Sequence, residues 1–372
     1  MRIPTRIRRL AGRLVGRVAP DAALVGWPLE LGRRGGRRRD LGARPRVGIV
    51  GFYGPGNYGD ELFLEVFREH LGASMDLGVV FDSPTRPYFA RPVRDVVRDH
   101  DAIVIGGGDL LVPWGLGDRY WLTDYLRRPV HVMGVGVPTW REEKPAVVAA
   151  LSDFLRHRSV RSISARDEES AAWIRERLRP RVPVEMAADL VFALTFPPIE
   201  RSVDPPILGI TVRWREGGDD YAAVRALAER GRALGYRLRT IVLSTHAVRE
   251  RGERALAEVG LVGDDIEHVA SDDLDVLTRA IGECTMLASH KFHGTVVATS
   301  YGIPAISMST TDKNRNLLRR LGRPDLLCAF DDPALADRLA RPPTPIDLDV
   351  RDAMVREAGA SLERLRERIL AG

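Results

Sequence analysis

The chain has 372 residues, of which 44% are hydrophobic and 29% charged, a composition typical of a globular protein long enough for two domains. Its two cysteines, Cys284 and Cys328, argue against a disulfide framework and against a structural zinc site. No run of about 18 uncharged apolar residues predicts a membrane span, and the N-terminus lacks the pattern of a secretory signal. We therefore expect a cytoplasmic protein with a net charge of +5.

The positive charge is concentrated in an N-terminal leader, residues 1–44. Twelve arginines against three acidic residues give this leader +9 and leave the rest of the chain at −4, which disfavours nucleic-acid binding. Apolar residues recur in the leader at steps of three and four, with arginines between them: Ile3, Ile7, Leu10, Leu14 and Val18 alternate with Arg2, Arg6, Arg9, Arg13 and Arg17. This pattern predicts either an amphipathic helix on an anionic membrane surface or a disordered tail.

From Arg46 onward, short apolar strands alternate with helical segments, which predicts parallel βαβ units. Strands are predicted over residues 47–52, 77–81, 102–105, 130–135, 160–164 and 184–187, with helices over 61–71, 118–126, 144–157 and 168–178. After a proline-rich linker, strands are predicted over 207–214, 238–243, 266–269, 285–288 and 305–307, and a last helix over 350–370.

The predicted fold class is therefore α/β, with two Rossmann-like parallel-sheet domains that face each other across a cleft. We expect an N-terminal domain over residues 45–198, a C-terminal domain over 205–345 and a C-terminal helix over 350–372, after the leader over 1–44.

A glycine-rich segment, GPGNYGDE at residues 54–61, follows the first predicted strand. Its glycines have the spacing of a dinucleotide-binding loop, but Asp60 and Glu61 open the next helix and would repel a pyrophosphate. Asn57 and Asp60 suit sugar hydroxyls better. A turn and helix cap without a ligand is the alternative.

Three glycines, Gly106, Gly107 and Gly108, follow the third predicted strand, where they let backbone N–H groups approach a ligand or let the chain pack closely. Arg166 ends the fifth strand, ahead of Asp167 as a helix N-cap, and its guanidinium offers forked donors to phosphate or carboxylate. A structural Arg–Asp pair is the alternative. Arg213 takes the equivalent place in the second domain, or is an exposed surface arginine.

The segment ASHKFHG at residues 288–294 joins a buried strand to a helix predicted over 295–300. Lys291 and His293 then lie just ahead of a helix N-terminus, at the sheet edge where ligands bind in α/β folds. Together they provide positive charge and a titratable proton donor, which suits an anionic substrate and acid–base chemistry. For His293 the alternative is a histidine that only caps the helix.

Together these motifs resemble the polysaccharide pyruvyl transferase family. The matching segments occur in the expected order over roughly residues 46–322: GNYGDE at 56–61, GGGD at 106–109, ARDEES at 165–170, ADLVF at 188–192, KFHG at 291–294 and GIP at 302–304. The resemblance implies a fold similar to that of two-domain GT-B glycosyltransferases. It also implies transfer of the pyruvyl group of phosphoenolpyruvate onto two hydroxyls of a glycan sugar, which yields a cyclic ketal and phosphate.

By the same resemblance, Arg166 is a donor-binding arginine and His293 the acid–base residue. Lys291 stands where the family more often has arginine, so it keeps the charge but loses the bidentate fork. Lys291, Arg213, Asn57, Asp60 and the three glycines complete the expected substrate site. No metal is expected, since arginine and lysine alone can neutralise a phosphate site, and no cofactor is expected besides the donor substrate phosphoenolpyruvate.

Two other functions stay open from the sequence: a GT-B-like nucleotide-sugar glycosyltransferase and a catalytically inactive glycan-binding protein. The expected partners are phosphoenolpyruvate and a glycan or lipid-linked saccharide acceptor, with no nucleic acid. If the leader binds an anionic membrane surface, the protein is peripheral at the inner face of the membrane.

Overall fold

The computed structural model describes residues 44–80, 93–117, 119–200, 204–214 and 220–372. Residues 1–43 of the leader, and with them the choice between an amphipathic helix and a tail, lie outside the described residues. None of the helices in the described ranges is long and apolar enough to cross a bilayer.

Six parallel strands form the N-terminal sheet. They are β1 Arg46–Val50, β2 Asp76–Val79, β3 Ala102–Gly108, β4 Val130–Val135, β5 Val160–Ala165 and β6 Val184–Met186. Their spatial order is β2-β1-β3-β4-β5-β6. The helices of this half are α1 Tyr58–Leu71, α2 Val93–Arg98, α3 Pro145–Leu155 and α4 Glu168–Trp173, which continues as a π-helix over Ile174–Leu178. Short 3₁₀ helices lie at Thr123–Arg127 and Leu190–Ala193.

Five parallel strands form the C-terminal sheet: β7 Ile207–Thr211, β8 Arg237–Ile241, β9 Glu267–Val269, β10 Met286–Ser289 and β11 Ala305–Ser307. Their order is β11-β10-β7-β8-β9. The helices are α5 Ala222–Ala233, α6 Arg249–Val259, α7 Leu274–Gly282, α8 Phe292–Ser300, α9 Asp312–Arg320 and α10 Leu348–Ala371, with 3₁₀ helices at His246–Val248, Pro324–Leu326 and Pro333–Arg338.

The predicted α/β fold class with two parallel sheets is confirmed. Each predicted strand has a counterpart whose ends differ by at most three residues among the described positions. The strands are recognisable because parallel sheets are covered on both faces, so a central strand such as β3 is buried at every residue.

The helix predicted over residues 118–126 is wrong. The described part of this segment forms only the 3₁₀ helix at Thr123–Arg127. Pro129 follows, and the residue before a proline avoids the α region, so Arg128 is extended and the helix ends there. Trp121 and Tyr125 are buried in the core instead of lying along a regular helix face.

Three other boundaries differ in ways that matter for the site. β3 extends through Gly108, so the three glycines predicted to follow the strand belong to it. β7 ends at Thr211, so Arg213 lies in the loop beyond the strand. Helix α8 begins at Phe292 with Lys291 as its N-cap, which places His293 inside the first helical turn and corrects its predicted position ahead of the helix.

The C-terminal helix α10 packs against the N-terminal half of the protein. Its residues Leu362 and Leu365 are fully buried, and its arginines Arg364 and Arg368 donate to Glu185 of β6, at 2.9 and 2.5 Å. Because α10 follows the C-terminal sheet in sequence, this contact ties the two halves together and limits their relative rotation.

We expect Leu365→Ala to lower the free energy of unfolding by about 2–5 kcal/mol, because truncating a fully buried leucine leaves a cavity. Leu370→Ala on the same helix is the control, since Leu370 is 48% exposed and its truncation should change stability by less than about 0.5 kcal/mol. Guanidinium unfolding followed by circular dichroism measures both. Equal effects of the two substitutions would show that α10 does not contribute through this packing.

Candidate functional site

The candidate site lies where the carboxyl ends of the two sheets face each other, the usual ligand position in α/β folds. The segment after β1 meets the segment after β8. Asn57 forms an isolated antiparallel bridge with Ser244, and the N–H of Thr245 donates to the carbonyl of Gly56 at 2.7 Å. The loops that carry the predicted residues are therefore in direct contact across the cleft.

Lys291 enters this contact from the C-terminal half. Its Nζ atom lies 3.3 Å from Oδ1 of Asn57 and 3.2 Å from Oγ of Ser244. Burial lowers the pKa of Lys291 to about 8, and the positive charge of Arg213 adds to this effect while Asp60 opposes it. Arg213 itself is exposed. The structure thus places Arg213 at the rim of the cleft and Lys291 within it.

His293 packs between the two halves. Its ring makes edge contacts with the rings of Phe63 and Phe292, at centroid distances of 5.5 and 5.1 Å. A Cβ atom at Gly59 would overlap the imidazole, so only glycine at the start of α1 lets the ring approach the backbone this closely.

The Nε2 atom of His293 lies 3.6 Å from Oδ2 of Asp189, and both side chains are buried. Burial opposes ionisation of Asp189, but the charges of His293 and Arg166 outweigh it and lower its pKa. Both atoms, Nε2 and Oδ2, are buried, and within the described ranges neither makes a hydrogen bond of ordinary length.

Arg166 is buried and forms an ion pair with Asp109, whose other oxygen accepts from Nζ of Lys313 at 2.9 Å. Burial alone would lower the pKa of Arg166, but Asp109, Asp189 and Asp167 raise it. Asp167 is the N-cap of α4, as predicted, and accepts from the N–H of Ser170 at 2.8 Å. The predicted alternative, a structural ion pair between Arg166 and Asp167, is present at 3.7 Å, but Asp109 lies closer to Arg166 than Asp167 does.

The pairing with Asp109 does not use all the donors of Arg166. Its Nε and Nη1 atoms are buried and have no hydrogen-bond partner among the described residues. The guanidinium also lies over the ring of Phe292 at 5.1 Å, and Lys313 Nζ lies 5.3 Å from the same ring. Because His293 contacts Phe292 too, this one ring links Arg166, Lys313 and the imidazole.

Asp60 interacts with several polar and charged groups of the site. It accepts a short hydrogen bond from Nδ2 of Asn57. Burial raises its pKa, and the hydrogen bond from Asn57 and the charges of His293, Lys313 and Lys291 partly offset that effect. Asp60 belongs to the N-terminal half, but its pKa depends on cations of the C-terminal half.

Gly106 and Gly107 are needed for close packing. A Cβ atom added at Gly106 would lie 2.7 Å from the carbonyl oxygen of Met133, and one added at Gly107 would lie 2.9 Å from the ring of Phe63. At Gly108 it would come within 3.4 Å of Asp60. The packing alternative thus explains the first two glycines, and Gly108 alone of the three adjoins a polar group of the site.

A cavity of about 380 Å³ opens beside these groups. Side chains of both halves line it, among them Arg166, Asp189, Phe292, Lys313 and Met354. Its volume falls in the range of small-molecule sites, and both unsatisfied groups described above, the guanidinium and the carboxylate, border it.

Three contributors were not predicted as site residues: Asp109, Asp189 and Lys313. Asp109 and Asp189 belong to the motifs quoted above. Each follows a strand closely, and this position in the sequence could have indicated a site residue. Lys313 follows β11 in the first turn of α9, a strand-to-helix placement like that of Lys291. Lys313 and Asp109 are 204 residues apart in the sequence, so neither segment alone predicts that the two side chains pair.

A buried acid supports the glycine-rich segment. Glu61 accepts from the N–H groups of Gly54 and Gly56, at 2.7 and 3.0 Å. Burial nevertheless raises its pKa from 4.5 to about 7. The folded protein then holds an extra proton between about pH 4.5 and 7, so stability falls as the pH rises through that window.

We expect Glu61→Gln to remove this pH dependence, because glutamine keeps an acceptor for both N–H groups and cannot ionise. The wild type should lose up to about 3 kcal/mol of unfolding free energy across the window, and the variant should show a flatter profile. Denaturant unfolding at a series of pH values measures it. Glu65→Gln, on the same helix and half-exposed, is the control and should retain the wild-type slope. Identical slopes in Glu61→Gln and wild type would contradict the assignment.

Comparison with solved structures shows the fold. The UDP-GlcNAc 2-epimerase of Neisseria meningitidis bound to UDP-GlcNAc is similar with a TM-score of 0.55 and 12% identity, covering 88% of this chain and 100% of that one. MnaA of S. aureus, solved with UDP, is similar with a TM-score of 0.56 and 9% identity, covering 86% of this chain and 95% of that one. Anabaena Alr3699/HepE in complex with UDP and glucose has a TM-score of 0.51 and 11% identity, covering 88% of this chain and 99% of that one. The two-sheet architecture is thus of the GT-B type.

Sequence comparison is more specific. The family model described as polysaccharide pyruvyl transferase matches residues 57–312, more than half of the chain. No curated protein sequence matches the chain significantly. The matched range begins at Asn57 and ends at Asp312. It contains the site residues Asn57, Asp60, Asp109, Arg166, Asp189, Lys291 and His293, and Lys313 directly follows it.

Proposed function

Because the chain belongs to the polysaccharide pyruvyl transferase family, we propose that it transfers the pyruvyl group of phosphoenolpyruvate onto two hydroxyls of a glycan sugar. The observation that carries the proposal is the position of His293. Its imidazole lies in one buried cluster with cations from both halves, Arg166 and Lys313 beside Phe292 and Lys291 beside Asp60. Family membership makes the protein an enzyme with a glycan acceptor; the donor and the ketal product are the proposal.

The charges suit the donor. Phosphoenolpyruvate carries a carboxylate and a phosphate, and the Nε and Nη1 atoms of Arg166, which have no hydrogen-bond partner among the described residues, are charged donors for such oxygens. Lys313 and Lys291 add positive charge from the other half, and Arg213 at the rim attracts the anion from solvent. In a buried site these interactions are stronger than in water.

In the proposed reaction, the acid–base residue His293 delivers a proton to the methylene carbon of the donor, which becomes the methyl group of the ketal. The adjoining carbon gains oxocarbenium character and is attacked by the first sugar hydroxyl, whose proton passes to the imidazole of His293 and restores it. The second hydroxyl then forms a bond to the same carbon while the carbon–oxygen bond to phosphate breaks, and its proton leaves with the phosphate. In this proposal Asn57 and Asp60 bind the hydroxyls.

Asp189 has a positioning role in this proposal. Its carboxylate faces Nε2 of His293 from the opposite half of the protein. The pair therefore forms only when the two halves are together, which couples the orientation of the imidazole to closure of the cleft.

The first experiment follows product release. Incubation with phosphoenolpyruvate and a panel of saccharide acceptors should release inorganic phosphate, and mass spectrometry of the acceptor should show a gain of one pyruvyl ketal. Release of UDP from UDP-sugars, without phosphate release from phosphoenolpyruvate, would instead support a nucleotide-sugar glycosyltransferase. Calorimetry that detects no binding of phosphoenolpyruvate would support a glycan-binding protein without this activity.

Replacing His293 should separate chemistry from binding. We expect His293→Ala to lower kcat by about 10²–10⁴-fold, the usual contribution of a positioned acid–base group, while calorimetry shows donor binding within a few-fold of wild type. Near-normal phosphate release by this variant would exclude the role of His293.

Asp189→Asn should lower kcat at least tenfold with unchanged donor binding, because the amide removes the charge beside the imidazole. Asp347→Asn is the matched control. Asp347 is the exposed N-cap of α10 and does not line the cavity, and asparagine is an equally good N-cap, so its kcat should stay within about twofold of wild type.

The donor KM should depend on the charge of Lys291. Since the pKa of Lys291 is about 8, its ammonium is charged below that pH and neutral above it, so the donor KM should rise as the pH increases past 8. Lys291→Arg keeps the charge and should remove this alkaline rise. Lys144→Arg, at an exposed lysine, should leave it in place. A rise that persists in Lys291→Arg would assign the titration to another group.

A further inference from the structure

Two tryptophans form an aromatic pair on the surface of the N-terminal half. The ring centroids of Trp114 and Trp140 lie 5.4 Å apart at an angle of 59°. Trp140 is 53% exposed, and the guanidinium of Arg141 lies 6.0 Å from the ring of Trp114. A tryptophan left this exposed forgoes the gain from burial, and such residues commonly mark binding surfaces.

Two loops hold the aromatic pair in place. Trp114 lies in the loop after β3 and Trp140 in the loop after β4. The N–H of Lys144 donates to the carbonyl of Pro113 at 2.9 Å and so joins the two loops. The pair is therefore supported by the same two strands whose carboxyl ends border the candidate site.

The aromatic pair lies close to the proposed donor site. Both the N–H and Oγ1 of Thr139, the residue before Trp140, donate to Oδ2 of Asp312, at 3.0 and 2.6 Å. Asp312 immediately precedes Lys313, which pairs with Asp109. Since neighbouring Cα atoms are about 3.8 Å apart, the backbone of Trp140 lies only a few residues' length from the donor cations.

We propose that the aromatic pair is a subsite for pyranose rings of the glycan acceptor. The inference rests on the proposed function for the identity of that acceptor. One face of a pyranose presents C–H bonds, which pack on the electron-rich face of an indole, and its hydroxyls bond to polar neighbours.

The surroundings of the pair favour a sugar over a lipid or a protein partner. Thr139, Arg141, Glu142 and Lys144 are all exposed around it, so polar groups flank the rings. A bilayer or a hydrophobic protein interface would need a continuous apolar patch, whereas a sugar alternates apolar C–H faces with hydroxyls. The occupant we infer is therefore a saccharide chain whose terminal sugar reaches Asn57 and Asp60.

A binding experiment tests the subsite without any donor. The full-length protein is titrated with oligosaccharides of four to six residues, made of glucose, mannose or N-acetylglucosamine, while tryptophan fluorescence is recorded. We expect a saturable change with at least one of them, a tenfold or larger rise in Kd for Trp140→Ala, and near-normal affinity for Trp140→Phe. Val262→Ala is the control, because Val262 is 51% exposed elsewhere on the surface.

Turnover gives the second readout. With phosphoenolpyruvate as donor, Trp140→Ala should raise the acceptor KM about tenfold and leave the donor KM and donor binding unchanged. No fluorescence response to any of the three saccharides, or equal acceptor KM values in wild type and Trp140→Ala, overturns the subsite.

Other occupants give distinct results that also overturn the proposal. A response to phosphatidylglycerol vesicles but to no saccharide would indicate a membrane contact, and self-association lost in Trp140→Ala would indicate a second copy of the chain. Saccharide binding that depends on Trp140, without phosphate release from phosphoenolpyruvate, would refute the proposed donor and leave the subsite standing.

Discussion

The carboxylate of Asp109 pairs with Arg166 from its own half of the protein and with Lys313 from the other. This shared ion pair lies at the carboxyl edges of both sheets, where solvent is largely excluded. Isolated charges there would be costly, and the attraction between cation and anion compensates only when each group has a partner at close range. The arrangement of the rest of the cleft follows from that need for balance.

The same balance recurs at two other carboxylates. The charges of His293, Lys313 and Lys291 lower the pKa of Asp60, and those of His293 and Arg166 lower the pKa of Asp189. In each case the acid belongs to the N-terminal half, and at least one of the cations belongs to the C-terminal half. Contact between the two halves thus brings complementary charges together.

Close backbone approach makes this charge cluster possible. Gly59 lets the imidazole of His293 rest against the start of α1, and Gly106 and Gly107 let β3 pack against Met133 and Phe63. A second element, the helix α10, returns to the N-terminal half and restrains the relative position of the two sheets. The site is thus assembled by packing in both halves, while the aromatic pair extends it outward along the surface.

The sequence by itself determined the two-sheet fold and the strand ends on which the site lies, because buried parallel strands leave continuous apolar runs that local inspection detects. It also predicted Arg166, Lys291 and His293 as site residues, since a cation or imidazole directly after such a strand stands out against the apolar background. Only the tertiary structure placed Asp189 beside His293, joined Lys313 to Asp109 and brought Trp114 to Trp140. Those contacts connect loops or opposite halves of the chain, and pairing between distant segments leaves no periodicity in the sequence. The 3₁₀ helix at Thr123–Arg127 was missed for a related reason: burial of Trp121 and Tyr125 in the core, together with Pro129, outweighed the local helical pattern.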